Sequence, residues 1–238
     1  MPVLMITGTG TEVGKTVTTA AVAAAALAAG RSVAVLKAAQ TGVGPHERGD
    51  AAEAARLAGP VTATELARFP EPLAPGTAAR RARMAPVHPQ DVADRAAKLA
   101  AEHDLVLVEG AGGVLVRFDA AGGTLADAAV LLGAPVLVVA PAGLGTLNAT
   151  ELTARELRRR DLELTGVVIG SWPDRPDLAA RCNVADLPEV AAAPLLGALP
   201  AGAGALAPAD FRAAAPGWLA PPLDGTWDAE AFRIREAA

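Results

Sequence analysis

Val3-Leu4-Met5-Ile6-Thr7-Gly8-Thr9-Gly10-Thr11-Glu12-Val13-Gly14-Lys15-Thr16 runs from an apolar stretch through glycines into the start of a long helical pattern. A strand is predicted over Val3 to Thr7 and a helix from Lys15, with a tight loop between them. Glycines let such a backbone turn until several N–H groups face one point, and the helix amino terminus adds positive potential there. Phosphate oxygens fit that point, with Lys15 reaching the terminal phosphates and the Thr16 hydroxyl on Mg²⁺. Gly8 and Gly14 have five residues between them, one more than the common form, so the loop is a variant. A glycine-rich turn with an incidental Lys-Thr pair is the competing reading, and the flanking strand and helix argue against it.

Working outward, the Ala-rich helix reaches about Ala29 and a second apolar run, Ser32 to Lys37, completes a strand, helix, strand unit. The alternation goes on: strands are predicted over Leu105 to Glu109, Val136 to Ala140, Thr165 to Gly170 and Leu195 to Leu199. Helices are predicted over Asp50 to Leu57, Gln90 to Glu102, Thr124 to Leu132 and Thr146 to Arg160. Near-continuous Val, Leu and Ile runs suit strands covered on both faces. The fold class expected is α/β: a doubly wound, mainly parallel sheet with helices on both faces. One domain over residues 1–238 is expected, with Pro200, Gly202, Gly204 and Pro208 in a loop and an irregular tail rich in Pro, Gly and Trp from about residue 214.

A net charge of −5 argues against the broad basic surface that nucleic-acid binding needs. The stretch Val17 to Ala29 is too short to cross a bilayer, so no membrane partner is expected. Cys182 is the single cysteine, and the start Met1-Pro2-Val3-Leu4 lacks a secretory pattern; a cytoplasmic location is expected. Only three of the 21 basic residues are lysine, which makes each one informative. Lys98 falls in an ordinary helix pattern, but Lys15 and Lys37 fall where an anion site is suspected.

Lys37 ends the second strand before a loop-like Ala38-Ala39-Gln40-Thr41-Gly42, at the sheet edge where ligands bind in open α/β folds. A ligand contact and a solvated strand-end lysine both remain open on this ground alone. Asp50 opens a helix and on its own reads as an N-cap. Glu109 ends Leu105-Val106-Leu107-Val108 and precedes Gly110-Ala111-Gly112-Gly113; a carboxylate buried there needs a partner, either Mg²⁺ or loop amides. His46, His88 and His103 show no metal-ligand spacing. Arginines at 155, 158, 159 and 160 suit a helix carboxyl terminus, and those at 80, 81 and 83 a solvated face.

Gly8 to Thr16, the pair Lys37 and Thr41-Gly42, Glu109-Gly110-Ala111-Gly112-Gly113, and Gly143-Leu144-Gly145-Thr146-Leu147-Asn148 together resemble, in order and spacing, the motifs of the dethiobiotin synthetases, over about residues 3 to 200. The resemblance implies a P-loop enzyme that closes the ureido ring of dethiobiotin from 7,8-diaminononanoate, CO₂ or bicarbonate, and ATP, with Mg²⁺, through a carbamate and its mixed anhydride with phosphate. It implies catalytic roles for Lys37, Lys15 and Thr11. Nucleotide contacts fall on Glu12, Val13, Gly14, Lys15, Thr16 and Val17, on Asp50, and on Glu109, Gly110, Ala111 and Gly112. Gly170, Ser171, Pro200, Ala201 and Gly202 would contact the nucleotide as well. Thr11, Lys37 and Thr41 would hold the reacting end of the substrate, and Thr16, Asp50 and Glu109 the metal. The enzymes of this family are homodimers with substrate at the subunit interface, where the helix opening at Gly145, Thr146, Leu147 and Asn148 would meet the distant carboxylate.

Two departures stand out. Ala38 replaces the proline that many members carry after the strand lysine. Gly170 stands where the usual pattern has an asparagine that reads adenine, which predicts that CTP or GTP can replace ATP. Two other readings compete: a cobyrinate-type amidoligase, for which one cysteine and 238 residues leave little room, and a dimeric partition or positioning ATPase switch, which would carry a second lysine early in the loop, where this chain has Thr9, Gly10 and Thr11.

Overall fold

In the structure, a computed structural model that describes residues 2–237, the predicted apolar runs become the centre of one sheet. The chain begins β1 (Val3–Gly8), α1 (Lys15–Ala28), β2 (Val33–Lys37), the two-residue β3 (Gln40–Thr41) and α2 (Asp50–Ala58). It goes on through β4 (Thr62–Glu65), β5 (Arg68–Phe69), α3 (Pro75–Ala82), α4 (Pro89–Ala100), β6 (Leu105–Gly113) and α5 (Leu125–Leu132). The second half holds β7 (Val136–Ala140), α6 (Thr146–Arg159), β8 (Leu164–Trp172), α7 (Leu178–Ala191), β9 (Leu195–Pro200), α8 (Pro208–Ala214) and α9 (Ala229–Ala237).

The order across the sheet is β4-β2-β6-β1-β7-β8-β9, and every pairing is parallel. Parallel neighbours need crossovers, and the intervening helices supply them on both faces. Side chains alternate between those faces. Val3, Met5, Leu36, Val106 and Val108 pack with α4 and α5 on one side, while Leu4, Ile6, Val35, Leu107 and Val139 pack against α1 and α2 on the other. Residues Ala20 to Ala26 of α1 are buried without exception, so small side chains bring that helix close to the sheet.

Several elements differ from expectation. β4 is Thr-Ala-Thr-Glu, a polar edge strand without an apolar run. The loop-like stretch after Lys37 contains β3, which pairs with β5 in a small second sheet. β6 continues four residues past Glu109, and α7 fills a stretch where no helix is predicted. The tail is irregular only in part: 3₁₀ turns at Ala215–Trp218 and Pro221–Leu223 give way to α9, whose Phe232 packs edge-on against Trp172 at 5.1 Å. Phe211, Leu219 and Leu223 from this region are buried against the α1 side of the sheet. Among the described residues, no helix is long and apolar enough to cross a membrane.

Candidate functional site

Helix α1 starts with no capping side chain and no acid in its first turn; Gly14 takes the N-cap position at φ 95°. Its first amides are therefore left for an anion. A Cβ at Gly14 would lie 2.4 Å from the Gly170 carbonyl oxygen, and one at Gly170 would lie 2.1 Å from that of Val13. The phosphate loop thus rests on the β8 backbone, and neither position accepts a side chain without a main-chain shift. Gly170 therefore has a packing role as well as lacking a side-chain amide.

Lys15, only 7% exposed, folds over the loop and donates from Nζ to the Gly10 carbonyl at 2.8 Å. Burial lowers its pKa, repulsion from Lys37 lowers it further, and Glu109 and Asp50 oppose both. Lys37 is not a solvated strand end: it is 3% exposed, with Nζ 2.7 Å from Glu109 Oε1, 2.5 Å from Asp50 Oδ2 and 2.9 Å from the Gly110 carbonyl. Burial would lower its pKa, but the two carboxylates outweigh burial and hold it above the ordinary lysine value.

Asp50 is not the N-cap of α2. Gly49 holds that position, and Asp50 is the first helical residue with its carboxylate on Lys37. Glu109 lies within β6, not at its end, and side chains rather than loop amides satisfy it. The Thr16 hydroxyl lies 2.9 Å from Oε1, and the Thr19 hydroxyl lies 2.8 Å from Oε2 and 2.9 Å from the Lys15 carbonyl. An ionised carboxylate is the stronger acceptor, so the single Thr19 proton points to Glu109.

These groups share a cleft of about 770 Å³ at the carboxyl edge of β1, β2 and β6. Thr11, Glu12 and Gly14 of the loop and Thr16 and Val17 of α1 line it, as do Thr41 and Asp50. Ala111 and Gly112 close its β6 side, while Gly110 contributes its carbonyl to Lys37 from beneath. Other expected residues lie apart from it. Ser171, Ala201 and Gly202 are exposed and Pro200 is half-buried at the ends of β8 and β9, across the phosphate loop, where the Ala201 amide donates to the Trp172 carbonyl at 2.7 Å. Gly145 is the N-cap of α6 at φ 93° without a capping side chain. Thr146 turns its hydroxyl into the core, where it has no partner among the described residues, Leu147 is half-buried and Asn148 is exposed.

Residues 3–206, most of the chain, match a family model described as an AAA domain. The ATP-dependent dethiobiotin synthetase BioD of Streptomyces coelicolor is 78% identical over 235 residues, with 99% of each chain covered. The chain belongs to the dethiobiotin synthetase family. The Saccharopolyspora erythraea dethiobiotin synthetase is 69% identical, covering 95% of this chain and 99% of its own. Dethiobiotin synthetases are ATP-dependent ligases of biotin biosynthesis, and the chain shares their enzyme class.

Solved structures show the fold alone. The Pyrococcus furiosus cell division ATPase MinD aligns with a TM-score of 0.55 at 17% identity over 100% of both chains. A ParA family ATPase from Chlorobium tepidum gives 0.54 at 14% identity, covering 89% of this chain and 90% of its own. The chain therefore shares its α/β fold with these ATPases.

Some supporting residues were not singled out from the sequence of this synthetase-family chain. Gln40 is 4% exposed and its Oε1 accepts the Asp50 amide at 2.7 Å, fixing the start of α2. Arg68 pairs with Glu65 and donates to the carbonyls of Gly44 and Glu47, pinning the loop that delivers Asp50. Pro72 to Pro75 form the far wall of the cleft. A glutamine between two loop residues carries no pattern; only its burial reveals it. The three histidines do not converge: His88 pairs with Asp119 and His103 lies on Thr62 and the Leu99 carbonyl.

Proposed function

We propose that this chain makes dethiobiotin from 7,8-diaminononanoate, CO₂ and ATP. The observation that carries the reading is Lys37, held by Glu109 and Asp50 at one wall of the cleft whose other wall is the phosphate loop with Lys15. Every intermediate is anionic. One substrate amine attacks CO₂ and loses a proton to give a carbamate; a carbamate oxygen attacks the γ-phosphorus and ADP leaves; the second amine attacks the carbamoyl carbon and phosphate leaves as the ring closes.

Lys15 and Lys37 would neutralise the transferring phosphoryl group and the carbamate between them. Thr11 and Thr41 would bind the carbamate end. The chain's work is positioning and charge stabilisation, because the cations are in place before substrate arrives. Thr16, Asp50 and Glu109 present hard oxygen donors beside the phosphate loop, which suits Mg²⁺. Bound there, Mg²⁺ would supply charge neutralisation to the phosphates.

A homodimer is the proposed assembly. Leu115 and Leu152 are 48% and 61% exposed around a hollow of about 370 Å³, and Leu144 is 93% exposed. The α6 amino terminus, with Gly145, Thr146, Leu147 and Asn148, would there receive the substrate carboxylate. The location proposed is the cytoplasm. Base recognition would rest on main-chain groups near Gly170, Ser171, Pro200, Ala201 and Gly202, with CTP or GTP able to replace ATP.

Incubation with 7,8-diaminononanoate, bicarbonate, Mg²⁺ and ATP is expected to yield dethiobiotin by mass, and each omission is expected to abolish it. Failure of the complete mixture would overturn the reading. Comparable kcat/KM values for several triphosphates are expected; strict ATP selectivity would refute the relaxed base site.

A further inference from the structure

One buried polar side chain faces the loop that leads into α6. The inward stripe of α7 is Ala180, Asn183, Val184, Leu187 and Ala191, and Asn183 is its one polar member. Asn183 is 5% exposed and spends both amide hydrogens on consecutive carbonyls, those of Ala142 at 2.7 Å and Gly143 at 3.1 Å. In a trans peptide the carbonyl and the following N–H point opposite ways. With both carbonyls drawn toward α7, the N–H groups of Gly143 and Leu144 are turned away from it. Among the described residues, neither these two nor the Gly145 N–H donates to any protein group. They adjoin the uncapped amino terminus of α6. Successive free N–H groups beside a helix start form a carboxylate receptor. At the other end of the pair, Arg158 of α6 donates to the Ala191 carbonyl at 2.8 Å, so α7 braces α6 and its leading loop together.

Resting on the proposed role of the α6 amino terminus, we propose that Asn183 is a positioning residue for substrate: it aims the Gly143 and Leu144 N–H groups at the carboxylate of the diamine. It touches no reacting atom. Its effect falls on recognition of the acid end alone.

The test compares 7,8-diaminononanoate with its methyl ester on the wild type and on Asn183→Leu, which fills the apolar stripe without donors; Asn183→Ala serves if the leucine variant fails to fold. On the wild type the acid is expected to show the lower KM. In the variant the KM for the acid rises on the order of fivefold, toward that of the ester, as expected for loss of a partly exposed charge–dipole contact. The KM values for ester and nucleotide stay in place. Equal KM values for acid and ester on the wild type would overturn the carboxylate reading of α6 and this inference with it. A lower wild-type KM for the acid that both variants preserve, or an equal rise for acid and ester, would overturn the role of Asn183 and leave that reading standing.

Discussion

Removing the Lys37 side chain takes away a cation at the proposed reaction centre and also strands Glu109, 1% exposed, without its counter-charge. Breaking one side of a buried pair costs about 3–5 kcal/mol. Lys37→Ala is therefore expected to lower unfolding free energy by an amount of that order in urea, and Glu109→Gln in the same chain to restore most of it. Neither variant should turn over substrate. A single variant as stable as wild type would contradict the pairing. The raised pKa of Lys37 gives its contribution a direction: it is complete below the ordinary lysine value and is lost only as pH rises through the higher folded value. The pH dependence of stability near neutrality thus owes nothing to this group, although the stability itself does. Lys15 behaves oppositely, since burial has lowered its pKa and a bound phosphate would raise it again. Nucleotide binding in alkaline solution is expected to take up protons, readable by titration calorimetry as a difference in observed heat between two buffers of different ionisation enthalpy; identical observed heats in the two buffers would refute it.

At the scale of elements, the contact between the phosphate loop and β8 couples nucleotide affinity to sheet packing. Gly170→Ala forces a main-chain shift, because the added carbon would sit 2.1 Å from the Val13 carbonyl oxygen. Overpacking of this kind costs about 1–3 kcal/mol. Weaker binding of all nucleotides, with a lowered Tm, is the expected result; unchanged Kd values would show that the loop yields freely. The elements that formed this site were legible to different degrees. β1, β2, β6 and β7 could be read because strands buried on both faces must be continuous apolar runs. β4 could not, because an edge strand of threonines and glutamate has no such demand. α7 was hidden by its Asn183 and by Pro188 in its interior, both of which break the ordinary helix signature. Lys15, Lys37, Asp50 and Glu109 were legible as candidates, but the pairing of Lys37 with Glu109 depends on β2 lying beside β6, a neighbour relation that no local pattern carries.

For the molecule as a whole, the proposed dimer predicts that Leu152→Glu, at a position 61% exposed, yields a folded monomer by sedimentation with a raised KM for the diamine. A persistent dimer would place the interface elsewhere. The chain beyond the family-model match at residue 206 also belongs to the core, since Phe211, Leu219 and Leu223 bury themselves over α1. The layer beneath them is the run Ala20 to Ala26, in which every residue but Val22 is alanine. Helix and sheet therefore meet with no slack, and the height of α1 above the strands fixes where Lys15 and Thr16 stand. Alanine codons reach those of valine or threonine by one base change. Drift at these seven positions would lift the helix before it unfolded the protein, so a screen for impaired nucleotide affinity would find mutations in this core segment that a screen for misfolding would pass over.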